Sequence, residues 1–255
     1  MRQHSPNQSG RAPKRLLARC VTDSRQVGDN ELPNMALNWF PLWLSLRVAG
    51  IATAISLATG IFLAYVLANR SFRGRDVLDA VVTLPLTLPP TVLGYYLLVA
   101  IGQRSPVGQM YKWLFHSQLV FTWQAAVVAS TVHGIPLLVR TARAALLSVD
   151  HNLERAARTL GASEWRLFWR ITLPLTRRSI VAATVLAFAR SLGDFGTTLM
   201  IAGDIPGRTQ TASIAIFDAV ESGDGMTARA LVLVISAVTI GIVWLANRME
   251  TTVRG

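Results

Sequence analysis

Charge is scarce in this chain, and lysine is scarcer still. Only 15% of the 255 residues are charged, against about 25% in soluble domains. The only lysines are Lys14 and Lys112, and neither follows a glycine. A phosphate-cradling loop needs the pattern GxxxxGK[ST], so the sequence holds no Walker-type nucleotide site. A single cysteine, Cys20, excludes a disulfide framework or a cysteine-based metal site within one chain. The residues before it lack the apolar stretch of about 7–15 residues that a lipidation signal needs, so Cys20 reads as inert. HExxH, GxSxG and Cys/His clusters are absent as well. No catalytic residue, metal site or cofactor is therefore expected.

Apolar surface takes the place of charge. Hydrophobic residues make up 51% of the chain, and the mean hydropathy is +0.39. Such a chain is an integral membrane protein in contact with a lipid bilayer. The net charge of +11 would suit nucleic acid, but the basic residues are interleaved with long apolar runs. That pattern belongs to cytoplasmic loops obeying the positive-inside rule, and no nucleic-acid partner is expected.

Residues 1–34 are polar and read as a disordered tail. Residues 35–250 read as one transmembrane domain. Five segments reach the roughly 20 apolar residues a crossing needs, at roughly 39–68, 77–102, 119–147, 175–202 and 228–247. They lack the alternation of barrel strands, so the expected fold is all-α, a polytopic bundle of five transmembrane helices.

Loop charge orients it. The first loop carries Arg70, Arg73 and Arg75; the third carries Arg155, Arg158, Arg166 and Arg170. The second has only Arg104 and Lys112, and the fourth sets Arg208 against Asp204, Asp218, Glu221 and Asp224. Arginine-rich loops face the cytoplasm, which puts the C-terminus inside and the N-terminus outside. The tail conflicts with this, because Arg2, Arg11, Lys14, Arg15, Arg19 and Arg25 would have to be translocated. A natural start at Met35 would remove the conflict.

The third loop, residues 150–174, is the most informative. Leu153, Ala156, Ala157 and Leu160 fall at helical spacing. Gly161 is suited to the left-handed residue that ends a helix. Ser163 can cap a second short helix with Trp165, Phe168 and Trp169 on one face, and Pro174 suits the first turn of span four. Two readings stand on these residues: a docking element for a cytoplasmic partner, or an interfacial helix anchored by Trp and Arg.

At this point the chain resembles the permease subunits of bacterial ABC importers. Their signature is Glu-Ala-Ala, three residues, Gly, nine residues, then Ile-x-Leu-Pro. Ala156, Ala157, Gly161, Ile171, Leu173 and Pro174 stand at those spacings. Arg155 takes the position of the glutamate, with Glu154 one residue earlier. The resemblance implies a type I ABC importer permease fold and a coupling helix that seats in a separate ABC ATPase subunit. It further implies a homodimer, an extracytoplasmic oxyanion-binding protein as partner, and the bacterial inner membrane as location. The chain itself would not be an enzyme. Residues 84–98, 190–211 and 213–224 look most like the permeases of molybdate importers, and those for sulfate and tungstate share much of the pattern. Asp194 stands where these usually have Glu.

The pathway has its own candidates. Arg190 and Asp194 lie in the fourth segment at i, i+4, and charges at membrane depth cost about 2.5 kcal/mol or more each. They read either as an ion pair locking the span or as an oxyanion-lining arginine oriented by its aspartate. Thr83, Thr87 and Thr91, at i, i+4, i+8 across Pro85, Pro89 and Pro90, read as a polar stripe on a kinked or gating span. His133 reads as a proton relay or as a histidine bonded to a neighbouring helix. An ion-gradient-driven carrier using His133 and Asp194 is the alternative of another class.

Overall fold

The computed structural model describes residues 38–69 and 72–251. The expected polar tail at 1–34 lies outside the described residues, as does the side chain of Glu154. Every regular element among the described residues is helical: α1 (Phe40–Asn69), α2 (Arg75–Thr87), α3 (Pro90–Ile101), α4 (Pro106–Phe115), α5 (Trp123–Leu147), α6 (His151–Thr159), α7 (Glu164–Leu167), a π-helical turn (Phe168–Thr172), α8 (Leu173–Leu192), α9 (Gly196–Ala202), α10 (Ala212–Glu221) and α11 (Gly225–Thr251).

Four stretches are long and apolar enough to cross a bilayer: Phe40–Ala68, Trp123–Leu147, Glu164–Leu192 and Gly225–Trp244. The second expected segment is a bent pair, α2 and α3, whose axes differ by 120°. Counted as one span, it brings the total to five. Its break follows from proline chemistry. A residue before proline is pushed out of the helical region. Leu88 precedes Pro89 and is extended (φ −77°, ψ 141°), and Pro89 precedes Pro90 with ψ 139°. Two successive non-helical residues end α2, and Pro90 opens α3 from a position where its missing N–H costs nothing.

The fourth expected segment, 175–202, is corrected at both ends. The helical run begins at Glu164, well before 175, and stops at Leu192. Pro174 forces the adjustment at the start. Proline within a helix removes one backbone bond and crowds the carbonyl four residues earlier. Here the backbone widens just before it, and the Leu173 N–H bonds the Phe168 carbonyl five residues back. At the other end Gly193 and Phe195 leave helical geometry, and α9 starts afresh.

α5 is the centre of the bundle, packing against α1, α2, α8 and α9. Two-thirds of its spanning window is buried (67%), against 11% for α11, so α11 is peripheral to the bundle. Between two lipid-soluble helices close packing, not water exclusion, drives association. The α1–α5 seam shows this: a Cβ on Gly60 would lie 2.9 Å from Leu138 Cβ, and one on Gly134 would lie 2.7 Å from Ser56 Oγ. Ser56 Oγ donates to the Thr131 carbonyl at 3.1 Å across the same seam.

The two broken elements pack on each other. Thr197 Oγ1 of α9 donates to the Pro90 carbonyl at 3.0 Å, and Gly94 and Gly196 let α3 and α9 approach closely. The bundle thus has two ends. At one, Ala64 of α1, Ala142 and Leu146 of α5 and Phe168 meet beside the third loop. At the opposite end the starts of α1 and α5 meet Leu119, Val120, Ile201 and Ala202.

Candidate functional site

The third loop folds as a helix–glycine–helix element. Asp150 caps α6, its carboxylate accepting from the Asn152 N–H at 2.8 Å. Gly161 is left-handed (φ +78°). Its N–H donates to the Arg158 carbonyl at 3.0 Å, and the Ala162 N–H donates to the Ala157 carbonyl at 3.1 Å. These two bonds make a complete Schellman stop. Ser163 then caps α7, its Oγ accepting from the Arg166 N–H. Arg158 and Glu164 bridge the turn with a two-pronged contact, 2.8 and 3.3 Å. The sequence reading did not single out this pair, although opposite charges six residues apart around a turn glycine are the signal that finds it.

The element buries one side and exposes the other. Ala157 and Leu167 are buried, whereas Arg155, Ala156 and Leu153 are exposed, Leu160 is 87% exposed and Trp165 73%. Phe168 turns inward onto Tyr65 (5.1 Å between ring centroids), while Trp169 stacks edge-on with Trp165 at 5.5 Å. Phe168 also meets Trp169 at 5.6 Å, so the three aromatics form one cluster. Ile171 and Leu173 are half-buried, and Pro174 is exposed in the first turn of α8. A groove of about 410 Å³ runs between Ile61, Phe62 and Tyr65 of α1 and Trp165, Trp169 and Leu173.

The expected Arg190–Asp194 pairing is not present. The i, i+4 argument requires a continuous helix, and α8 stops at Leu192. Arg190 is exposed, whereas Asp194 is only 3% exposed. The aspartate is met instead from another helix: His133 Nδ1 lies 3.3 Å from its Oδ1, and Thr198 Oγ1 donates to its Oδ2 at 2.7 Å. The two side chains are in close contact but are not aligned as a hydrogen bond, and Nδ1 has no other partner. The hydroxyls of Thr53 on α1 and of Ser130 and Thr131 on α5 are also buried without a hydrogen-bond partner.

The expected threonine stripe is also corrected. Thr83 and Thr87 lie on α2 and Thr91 on α3, and the 120° turn between them takes Thr91 off the shared face. Thr87 Oγ1 donates to its own helix at Leu84. Thr83 is half-buried, and Thr87 and Thr91 are exposed.

The fourth loop is structured by α10. Its Ala212 N–H is held by Ser45 Oγ at 2.7 Å, and Ser213 Oγ donates to the Leu192 carbonyl at 3.0 Å. Burial raises the Asp204 carboxyl above the ordinary range, the Asp218 charge adds to this, and the Gln210 amide partly opposes it. Asp224 caps α11 through the Thr227 N–H. Among the described residues no cluster of three or more His, Cys, Asp or Glu is placed to hold a metal ion.

A helical bundle with a proline-broken span, a central small-residue seam and a helix–glycine–helix element at one end is the architecture of a type I ABC importer permease. The chain belongs to the family of binding-protein-dependent transport system inner membrane components, whose model matches residues 56–254. It is 45% identical over 215 residues to the molybdenum transport system permease protein ModB of Escherichia coli (strain K12), covering 82% of this chain and 93% of that one. It is 33% identical to the sulfate transport system permease protein CysT of the same strain, covering 82% and 75%. In fold it is similar to an inward-facing structure of the MetNI methionine ABC transporter, with a TM-score of 0.69 at 16% identity, covering 88% of this chain and 99% of that one.

Proposed function

We propose that this chain is the permease subunit of an ATP-driven importer whose cargo is molybdate. The observation that carries the cargo is the gap between 45% identity to the molybdenum permease and 33% to the sulfate permease over the same share of the chain. Two copies would enclose the pathway, since one bundle built around a single central helix leaves little room for a channel of its own. The inner membrane holds the chain with its N-terminus outside and its C-terminus inside, as the arginine-rich loops favour.

The chain is not itself a catalyst in this reading. A separate ABC ATPase docks on the third loop, where Leu153, Leu160 and Trp165 stand exposed without a partner that would explain so much apolar surface. An extracytoplasmic binding protein delivers the anion to the opposite end. ATP binding in the ATPase pair moves the loops, and the bundle switches between two packings of similar energy. The breaks at Leu88–Pro89 and Gly193–Phe195 are the points at which such a bundle yields.

Reconstitution tests this. Permease, ATPase and binding protein in proteoliposomes should take up labelled molybdate on ATP addition, with sulfate competing weakly. Uptake that survives removal of the ATPase would reject the mechanism; stronger competition by sulfate than by unlabelled molybdate would reject the cargo.

A further inference from the structure

We propose that the end of the bundle opposite the third loop carries an acceptor site for a tetrahedral oxyanion, built on Arg47 and Arg208. The inference rests on the reading that the cargo is an oxyanion. A cavity of about 490 Å³ opens there, lined by Arg47 of α1, by Thr122, Trp123 and Gln124 at the start of α5, and by Arg208 and Thr209 of the loop after α9. No carboxylate lines it. Neither guanidinium has a carboxylate partner among the described residues.

Arg47 sits two turns inside α1 and, like Arg208, is exposed. Its guanidinium lies 4.2 Å over the Trp123 ring. The ring contact restrains the guanidinium without using its N–H donors in an ion pair, and a guanidinium can grip an oxyanion in two-pronged fashion. The loop that carries Arg208 is equally fixed. Three successive N–H groups, those of Arg208, Thr209 and Gln210, converge on the Ile205 carbonyl at 3.0, 3.0 and 3.3 Å. Thr209, 1% exposed, donates to the Gly203 carbonyl and accepts from the Ile205 N–H. Gln124 also lines the cavity, and its amide carries two N–H donors. Two positive groups on rigid supports, facing one polar cavity, balance a dianion.

The same chemistry fits two sources, the oxyanion in water and the phosphate of an outer-leaflet lipid. The site is assigned to the oxyanion, because Ser117 and Gln124 line the cavity alongside the two arginines, polar side chains that a headgroup held from the bilayer side does not require.

The test is equilibrium dialysis of labelled molybdate against the permease–ATPase complex in nanodiscs, without binding protein, with sulfate and tungstate as competitors. Discs of phosphatidylcholine and of phosphatidylglycerol form the two arms. Saturable binding is expected in both lipids. Arg47→Gln and Arg208→Gln should each weaken it at least tenfold, and Arg47→Lys, which keeps the charge but loses the planar fork, should weaken it less. Arg104→Gln, outside the cavity, should leave it unchanged. Absence of saturable binding of all three anions overturns the proposal, as does wild-type binding in both glutamine variants. Retention of phosphatidylglycerol by the wild type but not by Arg47→Gln in native mass spectrometry, with oxyanion binding lost in the phosphatidylglycerol arm, assigns the site to lipid and overturns it too. ATP-driven uptake with binding protein, measured for the same variants in proteoliposomes, separates the two readings. Uptake of molybdate with unaltered binding in the variants sinks only this site, and uptake of none of the three anions sinks the oxyanion reading itself.

Discussion

His133 Nδ1 lies 3.3 Å from Asp194 Oδ1, so the half of α5 that contains Pro136 is tied to the break between α8 and α9. Both side chains are almost fully buried, at 4% and 2% exposure. The contact joins α5, three residues before Pro136, to the break between α8 and α9. It is a tertiary contact between residues 61 positions apart, and it replaces the local pairing that sequence spacing suggested for Asp194.

Asp194→Ala should destabilise the bundle. It strips the partner from Thr198 Oγ1 and the charge from beside His133, and an orphaned buried polar group costs about 1–3 kcal/mol. Asp194→Asn keeps an acceptor for Thr198 and should cost less. Thermal unfolding in detergent checks the order; equal melting temperatures for wild type and Asp194→Ala would show that the contact contributes nothing.

Arg190 should matter for transport rather than for folding. It is exposed and makes no ion pair among the described residues, so Arg190→Ala should leave the melting temperature near wild type. Uptake should fall in Arg190→Ala and be partly retained in Arg190→Lys. Equal uptake by the two variants would argue against any role for the charge.

Gly161 should be needed for coupling and not for insertion. A Cβ there meets nothing within 4 Å, but φ is +78°, and an L-residue in that conformation costs about 1–2 kcal/mol. Gly161→Asp adds a charge on top of that strain, on the exposed turn. The variant should insert normally while ATP hydrolysis no longer drives uptake. Wild-type uptake in Gly161→Asp would break the docking argument.

The α1–α5 seam gives a packing test with an internal control. A methyl group on Gly60 would collide with Leu138 Cβ, whereas one on Gly50, in the same helix, meets nothing within 4 Å. Gly60→Ala should cost about 1–3 kcal/mol, as overpacking does. Gly50→Ala should be neutral or slightly stabilising. Matching melting temperatures for the two would mean the seam is looser than it looks.

Asp204 predicts a pH effect. Its folded pKa is raised by burial and by Asp218, so the folded state holds the proton more tightly than the unfolded chain. The associated stability is present below the unfolded value of 3.8 and is lost as pH rises through the folded pKa. Asp204→Asn removes that loss. The variant should gain in melting temperature relative to wild type at pH 7 and show little gain near pH 4; a gain that does not grow with pH would contradict the assignment.

Much of the third loop was legible because its signals are local. The left-handed glycine, the serine cap and the proline in a first turn are decided within a few residues, and Gly161, Ser163 and Pro174 stand as expected. The continuity of the π-helical turn from α7 into α8 was not legible. It reflects how the backbone relieves Pro174, and an apolar count does not register that. The threonine stripe failed for a related reason: helical periodicity was carried across Leu88 and Pro89, where the chain leaves the helix.

The sequence by itself determined that this chain spans a membrane by helices, how its third loop is capped, and to which family it belongs. Apolar length, capping residues and motif spacing act over short distances along the chain, so they survive without coordinates. Only the tertiary structure decided which buried groups meet. His133 finds Asp194, Thr197 finds the Pro90 carbonyl, and Arg47 and Arg208 come to face one cavity. Inside a bilayer polar groups must satisfy one another without water, and which partner each finds depends on how the helices cross.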